Sequence, residues 1–133
     1  MKIYISEEAL VNEIQQTFHR LYPHLRLEFF HRPHKLGACS PKEDRVMPDM
    51  PIEKIRMIHS FGWIDIGPNR TAAEVERDFA EQFGLNVQVM RQVNTLWLTT
   101  TATDHRTLGN LEDGGRPGSI RFQWPEAGDN DQE

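Results

Sequence analysis

The chain holds a single cysteine, Cys39, so no intrachain disulfide can form and the disulfide-stapled scaffold of a small secreted domain is excluded. A reducing compartment is the simpler expectation. Long hydrophobic runs are also missing. No stretch approaches the ~20 apolar residues of a membrane-spanning helix. The start, Met1-Lys2-Ile3-Tyr4-Ile5-Ser6-Glu7-Glu8, turns acidic before the apolar segment of a signal peptide can develop. The expected location is therefore the cytoplasm, with no membrane partner. Positive charge is in short supply as well: 15 Lys and Arg stand against 20 Asp and Glu, a formal charge of -5, which speaks against a general affinity for nucleic acid. No stretch carries a catalytic or cofactor signature, so no cofactor is expected.

What is present is a near-repeat. Ile14, Phe18 and Tyr22, followed by Leu25-Arg26-Leu27-Glu28-Phe29, return as Val75, Phe79 and Phe83, followed by Leu85-Asn86-Val87-Gln88-Val89. Each copy has apolar residues at helical spacing and then at alternate positions, a helix running into a strand. Short apolar strands precede both copies, Lys2 to Ile5 and Phe61 to Ile66. The order βαββαβ predicts an α+β sandwich of ferredoxin-like type, with two helices on one face of an antiparallel sheet. Its length of 133 residues suits one domain, taken as residues 1–125, followed by an acidic, disordered tail over 126–133.

Local signals refine the boundaries. Ser6 reads as the N-cap of the first helix and Pro23 stops it. Thr71-Ala72-Ala73-Glu74 is a capping box opening the second helix, and Gly84 suits a left-handed C-terminal cap. Leu85 to Arg91 and Thr95 to Thr101 are expected to form a hairpin around Val93-Asn94, adding a strand to one edge. Thr103-Asp104 then offers a cap for a short helix through Leu108 and Leu111, ended at Gly114-Gly115. Ile120, Phe122 and Trp124 alternate as a last strand or cover. Between His31 and Pro51, four prolines and a glycine lie among charges without periodicity, a long loop of the kind that is functional or disordered.

Three groups of residues are candidates for function. If Ile3, Ile5, Ile64 and Ile66 face the helices, alternation sends Tyr4, Phe30, Phe61, Trp63 and Met90 to the helix-free face of the sheet. Aromatics on an open sheet attract a cover, and a protein partner or homodimer is the expected occupant. His31 and His34, with Cys39 five residues on, offer N and S donors of the kind zinc accepts, but in a spacing that matches no closed site. Thr99 to His105 combines hydroxyls, a carboxylate and an imidazole, yet neighbours on an extended segment rarely face each other, and threonine is a good strand former.

Two resemblances accompany these residues. Ile3-Tyr4-Ile5 and His59-Ser60-Phe61-Gly62-Trp63-Ile64-Asp65-Ile66 resemble the first- and third-strand signatures of the RNA recognition motif, which implies stacking of unpaired bases on Tyr4, Phe61 and Trp63. Here His59 stands at the motif's basic position, Ser60 at its glycine and Ile66 at its last aromatic. The block from Thr71 through Gly114, with Phe83-Gly84-Leu85-Asn86-Val87-Gln88-Val89 and Leu96-Trp97-Leu98-Thr99-Thr100-Thr101, resembles the C-terminal part of a group of small uncharacterised bacterial proteins. That implies a bacterial intracellular protein and transfers no activity. The sequence thus points to an interaction or assembly module rather than an enzyme. An RNA-binding sheet and a small-ligand or metal-binding enzyme using the His31/His34/Cys39 loop are the alternatives.

Overall fold

Alternating Ile3 and Ile5 on one strand and Ile64 and Ile66 on the other give each of these two strands a single apolar face, and the strands pair edge to edge with both faces turned to the core. In the computed structural model, which describes residues 1–32, 44–55, 60–100, 103 and 105–115, β1 (Lys2–Ile5) runs antiparallel to β3 (Gly62–Asp65). The four isoleucines are buried and join one continuous core with the apolar stripes of α1 (Val11–Leu21) and α2 (Ala72–Phe83). A second antiparallel ladder joins β2 (Leu25–Phe30) to β4 (Asn86–Val93), and β4 to β5 (Leu96–Thr99). Leu25, Leu27, Phe29, Val87 and Val89 face the same core, where the Phe29 and Phe79 rings meet edge to face at 6.1 Å.

The class is α+β, but the described strand order differs from the ferredoxin-like expectation. That topology seats β2 beside β3 and β4 beside β1 in one sheet; here β1–β3 and β2–β4–β5 are separate ladders. The reason lies in who satisfies the backbone of β2. Gln15 Nε2 donates to Leu27 O at 2.9 Å, His19 Nδ1 to Leu25 O at 2.8 Å, and Val46 N to Phe29 O at 2.8 Å. With its outer carbonyls taken by α1 and by the chain around Val46, β2 has no edge left for β3. On the far side of β4, Glu76 accepts from Val89 N, and both the N–H and hydroxyl of Thr100 donate to Val89 O.

The repeat is visible in the pairing itself. Ile3 lies opposite Ile64, and Glu28 lies opposite Gln88; in each case the partner is the residue's own counterpart in the repeat. The two halves are therefore related by a pseudo-twofold axis crossing both ladders.

Helix ends show where the sequence signals hold. Thr71 and Glu74 form the reciprocal box, with Glu74 N donating to Thr71 Oγ1 at 3.1 Å and Thr71 N to Glu74 Oε1 at 3.0 Å. Gly84 has φ 65°, and its N–H donates to Ala80 O in the αL cap arrangement, with Leu85 N donating to Phe79 O. Ser6 does not cap α1. The helix begins only after Leu10, because Val11 N and Asn12 N donate to Met50 O at 2.9 Å and Pro48 O at 2.8 Å. Part of the loop thus supplies the cap. Glu13 Oε1 still accepts from Leu10 N at 3.0 Å, as Glu74 does from Thr71 in the other half.

The hairpin turns at Asn94, φ 56°, with Val93 opposite Leu96. α3 (Leu108–Gly114) is capped by Thr107, which accepts from Asn110 N at 3.1 Å, and not by Thr103-Asp104. Thr107 is extended and bridges Thr71, so its hydroxyl is the one placed at the first turn. Ile52–Lys54 is a single 3-10 turn just after the stretch read as a loop. The Ile120-Phe122-Trp124 cover and the tail over 126–133 lie outside the described residues.

Candidate interaction surface

Strand alternation places Lys2 and Tyr4 on the outer face of β1, and Trp63 and Asp65 on the outer face of β3. Register sets Tyr4 opposite Trp63 and Lys2 opposite Asp65. The Tyr4 and Trp63 rings pack edge to face, centroids 5.1 Å apart. Both remain open to solvent at 45% and 61%, and the adjoining Phe61 at 63%. An aromatic cluster bordered by one cation and one anion is the result.

Phe30 and Met90, expected on the same face, are elsewhere in the accounting: they are buried at 4% and 8% on the second ladder. Tyr4, Phe61 and Trp63 share one face, while Phe30 and Met90 stand apart at opposite ends of the β2–β4 ladder, because the expected face belongs to two ladders rather than one sheet.

His31 is exposed, and its N–H donates to Asp44 O at 2.9 Å. Arg32 Nε lies 3.0 Å from Asp44 Oδ1 and Arg32 N 3.2 Å from Oδ2. The Arg32 hydrogen bonds hold the Asp44 carboxyl below its ordinary pKa, against an opposing push from burial. This clasp joins the two ends of the 33–43 stretch. His34 and Cys39 lie outside the described residues, and among those described no three His, Cys, Asp or Glu side chains are grouped as metal ligands. In the Thr99–His105 segment, Thr100 is buried with its hydroxyl on Val89 O at 3.0 Å, while His105 is exposed. Its hydroxyl is occupied by a backbone bond.

β2 carries a further feature on its Arg26 and Glu28 side. A groove of about 740 Å³ runs along the outer side of β2, bounded by α1, the Arg45–Pro48 segment and Trp97. Arg26 and Glu28 alternate with Leu25 and Leu27 and so project into it. Glu28 is buried at 7%; Arg26 Nη2 reaches its Oε2 at 3.2 Å and Arg45 Nε its Oε1 at 3.5 Å. The Arg26 guanidinium lies 4.7 Å from the Trp97 ring centre, and His19 meets the edge of the same ring. In the sequence, Arg26 and Glu28 stand among apolar strand residues with no sign of Arg45, which joins them only across the fold.

Among the described residues no helix is long and apolar enough to cross a membrane. Compared with protein-family models, with curated proteins and with solved structures, the chain finds no match.

Proposed function

We propose that this protein is a non-enzymatic assembly module that pairs with a second copy of itself through the outer face of β1–β3. The observation that carries the reading is the contiguous exposure of Tyr4, Phe61 and Trp63, whereas Phe18, Tyr22, Phe29, Phe79 and Phe83 pack in the core. Exposed aromatic groups of this size mark binding surfaces, since covering each one removes apolar area from water. A second copy fits because the patch is self-complementary: Lys2 and Asp65 sit side by side at one margin, so a twofold-related copy can set its anion against this cation and the reverse. The chain's net charge of -5 opposes association in general, whereas this patch is locally neutral.

Sedimentation equilibrium of the full chain tests the reading. A dimer that dissociates on Trp63→Ser or Tyr4→Ser, with unchanged circular dichroism, is the expected result. A monomer at all concentrations overturns it, and a monomer whose Trp63 emission is quenched by single-stranded oligonucleotide supports the RNA-binding alternative instead.

A further inference from the structure

We infer that the groove beside β2 is a binding site for a small organic anion, a carboxylate or phosphate monoester carrying a flat apolar body. Charge is the first argument. The chain is acidic overall, yet here two guanidinium groups converge on the single carboxylate of Glu28, leaving one positive charge in excess among the described lining residues. Glu28 does not spend those donors. Each guanidinium has five N–H groups in a rigid fork, and Glu28 engages one edge of each. Arg26 Nε is buried without an acceptor, so Glu28 satisfies this guanidinium only in part.

Shape and lining supply the second argument. A volume of about 740 Å³ accommodates an organic molecule rather than a lone ion. Trp97 and Val46 give apolar wall, and Arg26 stacked on Trp97 fixes a planar cation against it. His19 adds direction. Its Nδ1 faces Leu25 O, and a carbonyl only accepts, so Nδ1 carries the proton and the bond fixes the ring beside Trp97. Glu28 is thus a positioning residue: it gathers Arg26 and Arg45 without neutralising both. A site of this kind binds; the groove holds no nucleophile paired with a base, and no reaction is assigned to it.

Titration calorimetry with benzoate, phenyl phosphate, inorganic phosphate and the neutral isostere benzamide tests the inference, together with the Trp97 indole N–H signal in the NMR spectrum. Benzoate or phenyl phosphate is expected to shift the Trp97 signal and to bind at least about tenfold more tightly than benzamide, the increment of one charge-assisted contact. Which of the two binds more tightly identifies carboxylate or phosphate as the recognised group, and inorganic phosphate reports the share of the apolar body. Arg45→Gln is expected to weaken binding about tenfold or more and Arg45→Lys to restore part of it, because Lys keeps the charge without the fork. Arg45 is exposed, so these variants keep the fold. Equal affinity for benzamide, indifference to Arg45→Gln, or no Trp97 shift up to about 10 mM ligand, a concentration far above a useful affinity, overturns the inference.

Discussion

Ile3 on β1 lies directly opposite Ile64 on β3, and Ile64 is the residue that takes the place of Ile3 in the second half of the repeat. A strand that pairs with its own copy about a common centre is the geometry of an isologous dimer interface, here contained within one chain. Glu28 and Gln88 repeat the relation on the other ladder. Between these two crossings the halves correspond element by element: Glu13 and Glu74 reach back to the residue before each helix, and Gln15 and Glu76 each bond the backbone of the following strand. Divergence has entered at the ends, where Tyr22 replaces the phenylalanine seen at Phe83 and β5 extends only one half.

That substitution of tyrosine gives the first prediction. Tyr22 is buried and its hydroxyl donates to Ile66 O at 2.6 Å, tying the end of α1 to the end of β3. Tyr22→Phe keeps the ring and leaves a carbonyl without its donor, so a loss of about 1–2 kcal/mol in urea unfolding is expected. Burial, with Asp65 and Glu112 nearby, pushes the phenol from 10.0 up to about 12. A folded pKa above the unfolded one means that stability is fully present below pH 10 and falls as pH rises from 10 towards 12. Thermal scans across that range are expected to show this fall in the wild type and a shallower one in Tyr22→Phe.

Acid acts on the other side of neutrality through Asp44. Its folded pKa lies below 3.8, chiefly because Arg32 donates to it, so its contribution is present above that value and lost as pH falls through the folded pKa. Asp44→Asn at neutral pH is expected to increase hydrogen exchange at the Arg32 amide, which donates to Asp44 Oδ2, more than at Asn12, whose acceptor is Pro48 O. Equal exchange at both would show that the clasp does not hold this end of the loop.

Gly114 and Gly115 looked interchangeable as a helix stop, and space separates them. A Cβ on Gly115 falls 2.6 Å from His24 Cβ and 3.1 Å from Gln92 O, both close to the point where His24 O accepts from Gln92 N. Glu112 of α3 meanwhile holds His24 through Nδ1 at 2.7 Å and through its N–H at 2.8 Å. Gly115→Ala is expected to push α3 off this seat and cost about 1–3 kcal/mol. Gly114→Ala meets nothing nearer than Arg106 Nη2 at 4.0 Å and is expected to be neutral or slightly stabilising, since alanine is the better helix residue.

What could be read in the sequence was what local chemistry decides. The capping box at Thr71, the left-handed Gly84 and the inward isoleucines follow from neighbours within a few residues, and the fold keeps them. The Ser6 cap failed because Met50 and Pro48, distant in sequence, deliver the acceptors that α1 needs. Strand order failed for a related reason: side chains of α1 bond the edge of β2, and no periodicity announces that. The aromatic face was legible at Tyr4 and Trp63, where alternation alone decides, and not at Phe30 and Met90, whose burial depends on the second ladder. The groove was illegible because Arg26, Glu28 and Arg45 reveal a common site only when β2 and the Arg45–Pro48 segment meet.

The pseudo-twofold axis makes a prediction of its own. If the two halves share one core about that axis, Ile3→Ala and Ile64→Ala remove equivalent buried side chains, at 4% and 1% exposure, and are expected to cost similar amounts within about 2–5 kcal/mol. Because the two residues face each other, the double variant is expected to depart from the sum by about 0.5 kcal/mol or more. Pairing Ile3→Ala with Val89→Ala, on the other ladder, supplies the control, with the two losses adding. Urea unfolding of the five variants and the wild type distinguishes a shared centre from two independent ladders: additivity at Ile3 and Ile64 would mean that the paired counterparts do not pack on one another. The similarity of the two single losses would then reflect composition alone, and the axis would describe the backbone without organising the core.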